Sequence, residues 1–142
     1  TIVNSESRTP LSRRTAYHVP GQLDDRKMRT AAGLFVGTWD FSRFARPPES
    51  GSGSTVREIL GAKVRKSGEV LTFDVAGSSF LNRQVRRMAG ALVDIGRGSM
   101  TKEQIIEMLE GKSGTAVAHA LPAHGLCLER VEYADFQPGD ND

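Results

Sequence analysis

The sequence predicts an α+β domain with a ferredoxin-like split βαββαβ layout, in which helices pack on one face of an antiparallel sheet. Two alternating runs between Leu60 and Ala76 read as a β-hairpin with one face on a core and the other largely open. Directly after them, Leu81, Val85, Met88, Leu92 and Ile95 recur at the three-and-four spacing of a buried helical stripe. Shorter signals flank this unit, so the full order is strand, helix, strand, strand, helix, small extra helix, strand.

Residues 1–7 begin as a short strand, with Ile2 and Val3 as its β-formers. Residues 10–21 read as an irregular connector. Asp24 or Asp25 then caps a helix through Met28, Ala31, Ala32, Leu34 and Phe35 that ends near Gly37. Trp39, Phe41 and Phe44 make a compact aromatic turn. Rings this close suit a plug at the end of a core; a stacking platform for bases is the alternative. Residues 47–54 (Pro-Pro-Glu-Ser-Gly-Ser-Gly-Ser) form a flexible loop inside the domain, too short for a domain linker.

In the hairpin, Leu60, Ala62 and Val64 share the core face opposite Gly61, Lys63 and Arg65. Lys66-Ser67-Gly68 turns the chain, and Leu71, Phe73 and Val75 resume the alternation. Gly77-Ser78-Ser79 supplies the N-cap of the next helix, which includes Phe80 and stops around Gly96-Arg97-Gly98. Thr101 with Gln104 forms a capping box for a short helix to Leu109, closed by Gly111. Pro122 and Gly125 precede a last strand over 126–133, and residues 137–142 read as a polar, disordered tail.

At 142 residues, 38% hydrophobic and 25% charged, the chain has the makeup of one soluble domain spanning 1–142. A net charge of +2 neither demands nor excludes nucleic acid, so any basic surface has to be local. No run approaches the roughly 18 consecutive apolar residues of a membrane span. The single Cys127 excludes an internal disulfide and suits a cytoplasmic address. Three scattered histidines with one cysteine make no metal set, and no cofactor motif is present. The first residue is Thr1 rather than Met, which suggests a piece of something longer.

The local basic surface lies on the long helix. Arg83, Arg87, Asp94 and Arg97 fall opposite the apolar stripe, and Arg86 lies on its flank. From the flank a guanidinium reaches into a cleft to pair with a carboxylate or phosphate; the plainer alternative is that these arginines keep a surface helix soluble. Cys127, between Leu126 and Leu128, reads as a buried strand residue. His18, His119 and His124 lie in connectors. Asp40 is either an acid or, more simply, a cap for backbone amides. Asp74 faces out of the hairpin, within reach of Arg83 or Arg86. No acid–base pair stands out, so composition and spacing alone lead to an RNA- or partner-binding α+β module.

Four ordered stretches add a resemblance. Phe80-Leu81, Val85-Arg86, Gly90 and Asp94-Ile95-Gly96-Arg97-Gly98 resemble the FLxxMVRxxxGxLxxVGxG signature of the tRNA pseudouridine synthase A family. The turn from Trp39 to Phe44 is similar to the family's HDFxxF. Ala123-His124-Gly125-Leu126 and the residues up to Tyr133 resemble its closing APxxGLxLxxVxY strand. Thr1-Ile2-Val3-Asn4, with Tyr17-His18-Val19 behind it, resembles the segment just after the family's Tyr-x-Tyr strand. Gln84 stands where the pattern has methionine, a change expected to be tolerated on a helix flank. Trp39 stands where it has histidine, so no role is carried over for that position.

The resemblance implies the C-terminal half of a tRNA pseudouridine synthase, a homodimeric, cofactor-free isomerase that acts in the anticodon arm. The family's nucleophilic aspartate belongs to an Arg-Thr-Asp-x-Gly-Val-His-Ala motif in an N-terminal half of similar fold, and no such motif occurs here. By position, Arg86 corresponds to the arginine that pairs with that aspartate, and Leu126 to the apolar residue packed on the target base. Leu126 and Leu128 share one strand face and Val131 and Tyr133 the other, so a phase shift would let Leu126 face the cleft; plain core is the alternative. Arg83, Arg87, Arg97 and Lys102 form a strip for tRNA phosphates, with Gly90 leaving room for a backbone to approach. The isolated chain is expected to be inactive. The alternative function is a non-catalytic RNA-binding or dimerisation module.

Overall fold

The computed structural model describes residues 1–4, 16–45, 54–111, 119–122 and 125–126. Its sheet is five-stranded, in the order β2-β1-β5-β4-β3. The strands are β1 (Ile2–Asn4), β2 (Tyr17–Val19), β3 (Gly37–Asp40), β4 (Val56–Ser67) and β5 (Val70–Gly77). Helices α1 (Asp25–Leu34), α2 (Gln84–Arg97) and α3 (Lys102–Leu109) complete the described elements. The class is α+β. The pairs β1–β5, β5–β4 and β4–β3 are antiparallel, whereas β1 and β2 run parallel. The expected strand over 126–133, the loop over 47–54 and the tail over 137–142 lie outside the described residues, apart from Leu126 and Ser54.

Strands β2 and β3 are additions to the sequence reading, each too short to show an alternating pattern. Tyr17–Val19, taken for connector, pairs beside β1, and Gly37–Asp40 pairs with the start of β4. The aromatic turn therefore begins as a strand and ends in a single 3-10 turn, Ser42–Phe44. Phe41 and Phe44 are fully buried with Phe35, at ring-centroid distances of 5.4 Å for Phe35–Phe44 and 5.9 Å for Phe41–Phe44. The plug reading holds, with Phe35 rather than Trp39 as its third innermost ring. Asp40 caps this corner, its Oδ1 accepting from the Ser42 N–H at 3.0 Å and the Thr55 hydroxyl at 2.6 Å. The Thr55 bond holds its carboxyl below the usual carboxylate pKa, opposed by partial desolvation and aided by the Ser42 amide.

The hairpin corrects one expectation. Leu60 does not share the core face with Ala62 and Val64: it is 63% exposed, and Ile59 is buried in its place. Ile59 stands opposite Gly77 and Gly61 opposite Ala76, so Leu60 is an extra, bulged residue that shifts the alternation by one. Ser67 and Val70 close the hairpin around Gly68, whose φ of +60° suits a tight two-residue turn with glycine first.

Helix α1 starts where the sequence places it: the Asp24 carboxylate accepts from the backbone N–H groups of Arg26 and Lys27. Met28, Ala31 and Ala32 bury its inner face against α2 and β4. Helix α3 has the expected capping box of Thr101 and Gln104. Helix α2 starts later than expected, at Gln84. Gln84 Oε1 accepts from the Leu81 N–H at 2.8 Å, and its own N–H donates to the Leu81 carbonyl at 3.0 Å. These reciprocal bonds close a turn over 81–84 ahead of the helix. Arg83 is the N-cap residue, at a left-handed φ of +65° and with no side-chain cap, so Ser78 and Ser79 do not cap the helix. Gln84 is thus not on a flank but fully buried, the only buried polar side chain among the described residues.

Candidate active site

The site is built where α2 meets residues 119–122. Both hydrogen bonds between Arg86 and Leu121 run across this contact. The Leu121 N–H donates to the Arg86 carbonyl at 3.1 Å, and the Leu121 carbonyl accepts from Arg86 Nε at 2.7 Å. One turn on, Gly90 lies under the His119 carbonyl, where any Cβ would collide with that oxygen. His119 Nδ1 lies 3.1 Å from Asp94 Oδ2. The backbone that Gly90 admits is therefore the protein's own, which corrects the expectation that it leaves room for RNA. His119 packs along α2, and Asp94, assigned to the solvated face, is its partner.

This strap fixes the direction of the Arg86 side chain. Nε is committed to Leu121, and among the described residues the terminal amino groups of the fork keep their donors for a ligand. The half-buried guanidinium lines a cleft of about 100 Å³ with Tyr17, Phe73, Val85, Leu121 and Leu126. Leu126 is 51% exposed on its wall, so it faces the cleft rather than the core. Among the described residues no carboxylate pairs with Arg86. Asp74 also lines the cleft, but its partner is neither Arg83 nor Arg86: Asp74 Oδ2 accepts from Arg65 Nε at 2.8 Å across the hairpin. A half-buried guanidinium against apolar walls favours the ionised form of any carboxylate brought beside it.

The chain spacing thus joins Arg86 and Leu126 across 40 residues of sequence, whereas the other basic residues stay dispersed. Arg83 is exposed at the start of α2, Arg87 is half-buried, and Arg97 is exposed in the last turn. The 14 residues of α2 separate its two ends by about 20 Å. Lys102, exposed at the start of α3, instead borders a groove of about 440 Å³ with Arg26 and Lys27.

A model of the family described as tRNA pseudouridine synthase matches residues 31–134. The chain belongs to the tRNA pseudouridine synthase family. It is 38% identical over 133 residues to a tRNA pseudouridine synthase A of Geobacter sulfurreducens, covering 94% of this chain and 54% of that protein. The synthase A of Syntrophotalea carbinolica is 41% identical over 133 residues, with 94% and 52% covered. That of Acetivibrio thermocellus is 34% identical over 132 residues, with 93% and 54% covered. The chain spans about half the length of the curated relatives it matches.

Within this synthase family member, the sequence assigns no site role to several residues that line the two grooves. Tyr17 reaches the cleft through the short strand β2, and Arg26 and Lys27 reach the second groove from the first turn of α1. Among the described residues no group of three or more His, Cys, Asp and Glu side chains could hold a metal ion, and no helix is long and apolar enough to cross a membrane.

Proposed function

We propose that this chain supplies the arginine side of a pseudouridine synthase active site acting on the tRNA anticodon arm. The nucleophilic aspartate comes from the N-terminal half of the longer protein. The observation that carries this reading is the meeting of Arg86 and Leu126 in one cleft, the two residues that the family motifs assign to aspartate pairing and base packing.

Converting uridine to pseudouridine breaks an N-glycosidic bond, turns the base and rejoins it through carbon. The nucleotide first leaves its stack to be reached. An aspartate that attacks it has to be ionised in a poorly hydrated cleft. The Arg86 fork, already oriented by Leu121, stabilises that charge without reorganising at the moment of reaction. Leu126 offers the flipped base an apolar surface beside it. Arg83, Arg87, Arg97 and Lys102 hold phosphates at several points along the RNA, which positions tRNA without reading its sequence. The full enzyme is a cytoplasmic homodimer of ferredoxin-like halves.

Tritium release from 5-tritiated uridine in an unmodified tRNA transcript tests this. The chain alone should be silent. Joined at Thr1 to the part of the Geobacter sulfurreducens synthase that precedes its match to this chain, it should release tritium. Release by the isolated chain would place the nucleophile inside it and refute the proposal.

A further inference from the structure

Helix α2 meets residues 119–121 at three positions one turn apart. The carbonyl of Arg86 accepts from the Leu121 N–H, Gly90 lies under the His119 carbonyl, and Asp94 Oδ2 stands 3.1 Å from His119 Nδ1. A spacing of four puts positions 86, 90 and 94 on one helix face, so the segment runs along α2 in the opposite direction. Its Leu121 end aims Arg86, through the 2.7 Å bond from Nε to the Leu121 carbonyl.

That carbonyl keeps its direction only if the other end of the segment is held. Both bonds to Arg86 belong to Leu121, and a segment tied at one residue can pivot about it. The contact at Gly90 resists approach of the two backbones but does little against their separation. Among the described residues, the His119–Asp94 pair is the tie at the far end. Either the imidazolium or the tautomer with its proton on Nδ1 donates to the carboxylate. The His119 side chain is 51% exposed and that of Asp94 only 21%, so the pair is partly shielded from water. Neither side chain lines the cleft, so they reach the chemistry only through Arg86. Position 94 is unspecified in the family signature and His119 precedes the closing motif, so this tie belongs to the chain rather than to the motifs.

We propose that His119 and Asp94 are positioning residues for Arg86, their pair clipping residues 119–121 to α2 and so holding the guanidinium in its aim. This rests on the reading of Arg86 as the partner of a catalytic aspartate. A partly exposed pair is weak, so its loss loosens the clip without unfolding the domain. Charge stabilisation by a fixed fork is sensitive to such loosening, because its advantage lies in needing no reorganisation during the reaction.

Two readouts keep the clip and the function apart. In this chain, exchange of the Leu121 amide and of the Arg86 Nε proton, followed by NMR, reads the clip; the Leu92 amide in mid-α2 reads global stability. Asp94→Ala and His119→Ala should each speed Leu121 and Arg86 Nε exchange about three- to fivefold and leave Leu92 unchanged. The double variant should match the single ones, and Asp94→Asn, which keeps an oxygen acceptor, should restore most of the protection. In the chain joined at Thr1 to the upstream part of the Geobacter sulfurreducens synthase, both alanine variants should slow single-turnover tritium release at least about threefold at unchanged tRNA affinity. Asp25→Ala, which removes the partner of Arg29 on α1, should change neither readout. Unchanged Leu121 and Arg86 exchange in Asp94→Ala overturns the clip, as does equal acceleration of Leu92, which would mean a loss of global stability. Faster exchange without slower release overturns the positioning role. An unsubstituted joined protein that releases no tritium counts against the function instead, and Arg86 Nε exchange still decides whether the pair holds the guanidinium.

Discussion

Replacing Gly90 by alanine should loosen the strap that aims Arg86. A Cβ at this position collides with the His119 carbonyl, a backbone atom with no side-chain freedom to yield. Displacing residues 119–121 breaks the bond from the Leu121 N–H to the Arg86 carbonyl and that from Arg86 Nε to the Leu121 carbonyl. A neutral bond contributes about 1 kcal/mol and one to a charged group about 1.5–3 kcal/mol, so the gross loss is about 2.5–4 kcal/mol. Alanine in a helix interior returns about 1 kcal/mol over glycine. The net cost is about 1.5–3 kcal/mol, or a midpoint lowered by roughly 5–10 °C. Gly33 in α1 is the matched control, since nothing lies within 4 Å of a Cβ built there. Gly33→Ala should stabilise by about 0.5–1 kcal/mol. Urea unfolding of the three proteins reads both effects. The reasoning is refuted if Gly90→Ala proves as stable as Gly33→Ala.

Other expectations follow from single positions. Leu60→Thr, at the bulge, should change stability by less than about 0.5 kcal/mol in urea titrations, whereas Ile59→Ala should cost about 2–4 kcal/mol; the reverse order would contradict the register shift. Arg83→Gly relieves a left-handed φ of +65° and should raise stability by roughly 0.5–1 kcal/mol while weakening tRNA binding in a salt titration. The Asp40 carboxyl titrates lower in the folded protein than when unfolded, so its contribution is present above the unfolded value of 3.8 and is lost as pH falls through the lower folded one. Acid unfolding followed by circular dichroism should therefore show a shallower loss below about pH 4 in Asp40→Ala, whose stability at neutral pH is already reduced by about 1–2 kcal/mol.

What the sequence made legible is what repeats. The stripe of Met88, Leu92 and Ile95, the Asp24 cap and the Thr101–Gln104 box are local patterns whose physics is settled within a few residues. What it hid depends on partners distant in sequence. Strand β2 has three residues and exists because β1 pairs with it. The bulge at Leu60 is set by the pairing with β5, and Gln84 is buried because its amide closes the turn over Leu81. In the site, motif position marked Arg86 and Leu126, but spacing could not reveal that Leu121 holds the arginine while His119 packs against Gly90 of the same helix. Gly90 was the available signal: a helix-interior glycine implies close approach, and the identity of the approaching backbone needed the fold.

The most direct test of the account is the single-turnover rate of tritium release by the joined protein carrying Arg86→Lys. Lysine keeps the charge but lacks the planar fork that holds Leu121 and a carboxylate together. The account predicts a rate at least about 100-fold below that of the unsubstituted protein, with tRNA affinity unchanged within about twofold. A rate equal to that of the unsubstituted protein, at equal tRNA affinity, would contradict the role assigned to Arg86.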